Sequence, residues 1–136
     1  MRVSIDSNII FAIYSIGSIP YQAIIKSLQP PYKCLICEQC FDEVLRKYQL
    51  KYPHKIDALK QFIDSIKTVV EIIPVPDETN PDEEFIKLRD PDDALIFRAA
   101  LAAKADIIIS GDKDFLESAI TKPKIVTAAD FVNGEF

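Results

Sequence analysis

Hydrophobic positions along the chain fall into two alternating patterns. Short, nearly unbroken apolar runs occur at residues 2–6, 33–37, 68–73, 106–110 and 124–126. The first, with Val3 and Ile5, shows little polar alternation, the pattern of a strand buried on both faces. The third, residues 68–73, is rich in β-branched residues, as strands are. Between these runs apolar residues recur at helical spacing. A helix is predicted over 8–15, capped by Asp6 or Ser7. A second over 20–28 has Pro20 in its first turn, and Pro30–Pro31 breaks the chain after it. A third over 38–50 places Phe41, Val44, Leu45 and Tyr48 on one face. Pro53 opens a fourth over 54–66, with Ile56, Leu59, Phe62, Ile63 and Ile66 recurring.

Residues 74–90 read as a polar connection, with a short helical turn near 82–87. Asp90–Pro91–Asp92–Asp93 then starts a largely apolar helix running to Ala103. A short helix is expected at 114–116 and a last turn at 128–132. Strands alternating with helices predict a single α/β domain over residues 1–136, with a parallel sheet and helices on both faces.

Composition adds bounds. A chain of 136 residues with 49% hydrophobic content can bury roughly 68% of its unfolded surface. No run approaches the ~20 apolar residues of a membrane span. The opening MRVSID leads into a strand without a secretory apolar segment. Three cysteines leave one unpaired in any disulfide scheme, so a reduced, cytoplasmic setting is expected. The net charge of −5 argues against a nucleic-acid binder, but its distribution softens that. Residues 46–67 carry Arg46, Lys47, Lys51, Lys55, Lys60 and Lys67 against Asp57 and Asp64. Residues 71–94 carry nine acids against Lys87 and Arg89. This polarity is either two solvated surface segments or a basic wall beside an acidic pocket, which suits a phosphodiester.

The chemistry lies in acids at strand ends. Asp6, Asp90, Asp92, Asp93 and Asp112 stand where predicted strands give way to helix or loop, with Asp114 just behind. Ligands of open parallel sheets gather at the carboxyl ends of the strands. Carboxylates brought together there repel one another unless a cation or shared protons intervene, so the pattern points to a divalent metal. Each acid has a local alternative. Asp6 can be a helix N-cap. Asp90 can cap, with Pro91 at the first helical position and Asp92 and Asp93 favouring the helix dipole. Asp112 and Asp114 can be a capped loop, Gly111 can serve a sharp exit from the strand, and Ser110 can cap or hold a phosphate. Glu38, Asp42 and Glu43 open the third helix. The helical wheel puts Glu43 nearly opposite the apolar face, where it can pair with Lys47.

Cys34, Cys37 and Cys40 form C-x2-C-x2-C, a spacing seen in Zn and Fe–S sites. No fourth cysteine exists and His54 is distant. Strand and helix are expected to send the three side chains in different directions, so they read as small buried hydrophobes. His54 reads as a surface residue, and Tyr48 and Tyr52 as helix packing.

Together these residues resemble the PIN-domain family of metal-dependent ribonucleases. Asp6–Ser7–Asn8 resembles its D-[TS]-N opening. Glu43 matches a Glu six residues beyond the second strand's end at Cys37. Asp93–Ala94–Leu95–Ile96 resembles its D-A-x-I, and Ser110–Gly111–Asp112–Lys113–Asp114–Phe115 its [TS]-x-D-x-D-F. Asp90–Pro91–Asp92–Asp93 followed by Gly111–Asp112–Lys113–Asp114 is similar to the branch of toxin components of type II toxin–antitoxin pairs. Arg98 departs from the small residue usual in that helix, and Cys37 from a Ser or Thr.

The resemblance implies a three-layer α/β/α sandwich with about five strands in the order 3-2-1-4-5. It implies Mg²⁺ or Mn²⁺ held by Asp6, Glu43, Asp93 and Asp112, which are also the catalytic set, with Asp114 a further ligand and Asn8 and Ser110 accessory. Asp42 or Glu38 remains an alternative to Glu43. The implied reaction is hydrolysis of RNA phosphodiesters, with Arg46, Lys47, Lys51 and Lys55 as RNA contacts. A cognate antitoxin is the implied partner, and a homodimer is compatible with the family. The alternatives are a non-toxic nuclease in RNA or DNA processing and a catalytically idle module that binds nucleic acid or a partner. A receiver-like signalling domain fits less well, because Lys124 stands at the start of its strand instead of the end.

Overall fold

β1 (Arg2–Ile5) is the middle of a five-stranded sheet ordered β3-β2-β1-β4-β5. Its neighbours are β2 (Lys33–Cys37) and β4 (Ile107–Ile109), and the edges are β3 (Glu71–Ile73) and β5 (Lys124–Val126). Every pairing is parallel, so each crossover carries at least one helix. The computed structural model describes residues 1–13, 17–76, 91–134 and 136. The helices flanking the sheet are α1 (Ser7–Phe11), α2 (Ile19–Ser27), α3 (Glu38–Lys51), α4 (Ile56–Lys67), α5 (Pro91–Ala102), α6 (Lys113–Leu116) and α7 (Ala128–Asn133), with a 3-10 turn at Pro53–Lys55. The predicted fold class and strand order are both found.

The central strands are buried because their side chains are apolar on both faces. Val3, Ile5, Leu35, Ile36, Ile108 and Ile109 are each 0% exposed. Burying one such side chain is worth about 1.5–3 kcal/mol. The register Val3↔Ile107, Ser4↔Ile108, Ile5↔Ile109 then brings Asp6 and Ser110 side by side at the carboxyl edge.

Element limits differ from the expectations where a side chain or cap intervenes. The first helix ends at Phe11 instead of 15, since its last carbonyl accepts the Tyr48 hydroxyl at 2.8 Å. Thr68, Val69 and Val70 do not extend β3. The amides of Val69 and Val70 both donate to Ile66 O at 3.0 Å and close the end of α4, so capping outweighs their β propensity. The fourth helix is split, Pro53–Lys55 forming the 3-10 turn before α4. The helical turn expected near 82–87 and the cap expected at Asp90 lie outside the described residues, as does the side chain of Asp92. Arg98 sends its guanidinium to the Pro76 carbonyl, which gives the departure from a small residue a structural partner.

Candidate functional site

Four elements deliver the acids to one edge. β1 leads directly into Asp6 and β4 into Ser110–Gly111–Asp112, while α5 presents Asp93 and α3 presents Glu43. Asp6 is 1% exposed and is the N-cap of α1. Its Oδ1 accepts the Ser7 N–H at 2.7 Å and its Oδ2 accepts the Ser110 hydroxyl at 2.6 Å. Ser110 is itself fully buried, and its Oγ accepts the Asp112 N–H at 2.9 Å. Asp112 caps α6, its Oδ1 accepting the Asp114 N–H at 2.8 Å. Asn8 closes the chain of contacts, its Oδ1 accepting the Gly111 N–H at 3.2 Å. Capping and clustering thus coexist in the same aspartates.

The carboxylates converge in two degrees. Asp93, Asp112 and Asp114 each place an oxygen within 4.8 Å of the others. Asp6 and Glu43 stand outside that trio, and Asp6 feels the charges of both Asp112 and Glu43. Burial is the largest influence on Asp6 and pushes its carboxyl up from 3.8 to about 6. The hydrogen bonds from Ser110 and Ser7 oppose the rise, and the charges of Asp112 and Glu43 add to it. Asp93 is 5% exposed. A cluster of buried or half-buried carboxylates is unfavourable by itself, and a hard cation that takes oxygen ligands relieves it. The donor set therefore fits a divalent cation such as Mg²⁺ or Mn²⁺.

Glu43 shows why a helical wheel misjudges this position. Its side chain is 12% exposed, and its partner is Lys47 at 2.9 Å. The ion-pair reading is correct, yet the residue does not face open solvent. It borders a cleft of about 230 Å³ with Cys40 and Arg46 of α3 and Leu95 and Ile96 of α5. The wheel registers only the stripe facing the sheet, whereas α3 has a second neighbour in α5. Glu38 and Asp42 are exposed. Asp42 shares the cleft, but Glu43 is the α3 carboxylate whose charge acts on Asp6.

The four basic residues divide. Arg46 lines the acidic cleft. Lys47 is engaged with Glu43. Lys51 lies 5.7 Å from the Phe11 ring centroid and Lys55 5.7 Å from that of Tyr52. Lys55 also borders a separate apolar hollow of about 400 Å³, lined by Ile13, Tyr21, Tyr48, Leu59 and Phe62.

Two features were not foreseen. Gly111 has no positive φ, and a Cβ added there would meet only Asn8, at 3.9 Å, so the sharp exit does not require glycine. The cysteines are all buried and free, as expected of small hydrophobes. Cys37, the N-cap of α3, and Cys40, in its first turn, nevertheless lie close together along the helix start, while their thiols turn to different partners, Gln39 Oε1 at 3.0 Å and Ile5 O at 3.9 Å.

Comparison with known proteins agrees with this architecture. A family model described as PIN domain matches residues 2–114. No curated protein matches the chain significantly. Among solved structures, the crystal structure of VapBC2 from Rickettsia felis bound to a DNA fragment from their promoter contains a chain similar to this one. The TM-score is 0.64 at 17% sequence identity, covering 93% of this chain and 97% of that chain. At that identity the likeness is one of fold.

Proposed function

The chain belongs to the PIN-domain family, and from that premise we propose that it is a divalent-cation-dependent endoribonuclease, the toxin of a toxin–antitoxin pair. The observation that carries the reading is the convergence of Asp93, Asp112 and Asp114 within 4.8 Å at the carboxyl edge of the parallel sheet. These three carboxylates would hold Mg²⁺ or Mn²⁺, with Asp6 and Glu43 completing the negative pocket. When bound, the cation would lower the pKa of a water and offset charge on the phosphoryl oxygens.

The chain's own groups supply position and charge. Ser110 fixes the Asp6 carboxylate and the Asp112 backbone in one frame. Asn8 holds the Gly111 amide, and with it the loop that carries Asp112. Arg46, in the cleft beside Glu43, would take a phosphate of the RNA backbone adjoining the cleaved bond. Leu95 and Ile96 of α5 form an apolar wall of the same cleft. An antitoxin partner, a cytoplasmic setting and a homodimer belong to the same proposal. The solved neighbour, a VapBC2 complex, supports the first of these. Among the described residues no helix is long and apolar enough to cross a membrane.

The test is cleavage of a mixed-sequence RNA by wild type, Asp93→Asn and Asp112→Asn, with Mn²⁺, Mg²⁺ or EDTA. Wild type should cut only with a cation, and both variants should lose cutting. Equal cleavage by all three proteins would overturn the site, and cleavage of DNA alone would overturn the substrate. Toxicity is read separately. Expression should arrest growth, and a small protein encoded beside this one should relieve it.

A further inference from the structure

We propose that Cys37 and Cys40 form a dithiol site at the N-terminus of α3, which hydrogen peroxide oxidises to an intramolecular disulfide. The proposal rests on these thiols and does not depend on the cation-site reading. Cys37 is the N-cap of α3, with φ −67° and ψ 135°, and Cys40 is the third residue of the helix. Residues so placed have Cα atoms about 5 Å apart, given the rise and turn of an α-helix. That lies inside the span of roughly 4.4–6.8 Å that a disulfide bridges. The Cys37 thiol now donates to Gln39 Oε1 at 3.0 Å and the Cys40 thiol faces Ile5 O at 3.9 Å, and forming the disulfide exchanges these two contacts for the S–S bond. Cys34 is set apart. Its thiol neighbours Ser27, and burial pushes it up to about 11.

The pair is chemically unequal. Cys37 sits at the N-cap of α3, where the helix dipole favours a thiolate, so Cys37 is the nucleophile and Cys40 the resolving thiol. The thiol shifts have the same sense: the neighbouring Cys40 draws Cys37 below its ordinary range against burial, and Cys40 is held well above it, first by its Cys37 neighbour and then by burial. Access is close at hand although both residues are buried. The Cys37 thiol donates to Gln39 Oε1 at 3.0 Å, and Gln39 is an exposed side chain. Both residues are 0% exposed, so a peroxide, little larger than water, reaches the Cys37 sulfur when the Gln39 side chain swings away.

In the first step the Cys37 sulfur attacks one peroxide oxygen. An S–O bond forms and the O–O bond breaks. The departing hydroxide takes the thiol proton and leaves as water. In the second step the Cys40 sulfur attacks the Cys37 sulfenic acid. The S–S bond forms, the S–O bond breaks, and the hydroxyl leaves as water with the Cys40 proton. Two thiols and one peroxide give one disulfide and two waters. Oxidation also removes the Cys40 S–H that now faces Ile5 O at 3.9 Å, directly before Asp6.

The experiment treats the folded protein with hydrogen peroxide, blocks remaining thiols with iodoacetamide and maps the tryptic peptide 34–46, which holds all three cysteines. The expected peptide lacks two hydrogens and carries one label, on Cys34, and dithiothreitol restores all three labels. Cys40→Ser should instead accumulate a sulfenic acid on Cys37 that dimedone traps. Full alkylation of Cys37 and Cys40 after treatment would overturn the proposal. So would a disulfide that includes Cys34, or one that forms only in urea.

Discussion

The Ser110 hydroxyl donates to Asp6 Oδ2 at 2.6 Å, and the same oxygen accepts the Asp112 amide at 2.9 Å. One buried hydroxyl therefore sets the spacing of two candidate ligands from different strands. Ser110→Ala removes the donor to Asp6 and leaves the Asp112 amide without its acceptor, at a stability cost of about 1–3 kcal/mol. Support of this kind is worth about 10–100-fold in metal affinity. Calorimetric titration with Mn²⁺ should show a loss in that range, and Ser110→Thr should recover most of it. Unchanged affinity in Ser110→Ala would remove Ser110 from the positioning frame.

Asp6 makes stability depend on pH in a definite direction. Its carboxyl rises from 3.8 to about 6 in the folded protein, chiefly through burial. Below about pH 4 it is protonated whether the chain is folded or not. As pH rises through 6 the folded protein must ionise a buried group, and stability is lost. The cost above that window is of order 3 kcal/mol, from about two pKa units. In EDTA, Asp6→Asn should therefore unfold at higher urea than wild type at pH 7.5 and at the same urea at pH 4. Equal midpoints at both pH values would show that the wild-type carboxyl is not burdened. Adding Mn²⁺ should reverse the order at pH 7.5, because the cation needs the ionised oxygen.

The strand order and the acids were legible because buried parallel strands announce themselves as apolar runs ending in turns. Asp6 and Asp112 follow such runs directly, and α5, with Ala99 and Ala100 fully buried, announces Asp93 by starting with Pro91. The limits of α1 and β3 were not legible. Each is decided by a partner distant in space or by a competing cap, such as Tyr48 on the Phe11 carbonyl. The closeness of Cys37 and Cys40 at the start of α3 was missed for a related reason. Assigning Cys37 to a strand and Cys40 to a helix hid that the junction itself places an N-cap beside the first turn.

Gly111 tests how far a sequence pattern encodes need. Its N–H holds Asn8 Oδ1 at 3.2 Å, and a Cβ would have ordinary contact only. An alanine keeps the amide. Gly111→Ala should change the unfolding free energy by no more than about 0.5 kcal/mol and leave cleavage within a factor of about two. A large loss of cleavage with intact stability would mean that substrate approaches the backbone here.

Glu43 separates geometry from local pattern most sharply. Three acids, Glu38, Asp42 and Glu43, occupy the start of α3. Glu38 and Asp42 are exposed, while the Glu43 side chain is 12% exposed and its charge reaches Asp6. Neutralising an exposed acid removes little, because water already screens it. Neutralising Glu43 removes negative charge from the pocket and releases Lys47, whose ammonium would then sit beside the remaining carboxylates as a competing cation. Glu43→Gln should lower Mn²⁺ affinity by roughly 10–100-fold, with Glu38→Gln and Asp42→Asn within about two-fold of wild type. The double variant Glu43→Gln, Lys47→Met should regain part of the loss, since the competing ammonium is gone. An Asp42→Asn defect as large as that of Glu43→Gln would move the ligand one residue along the helix.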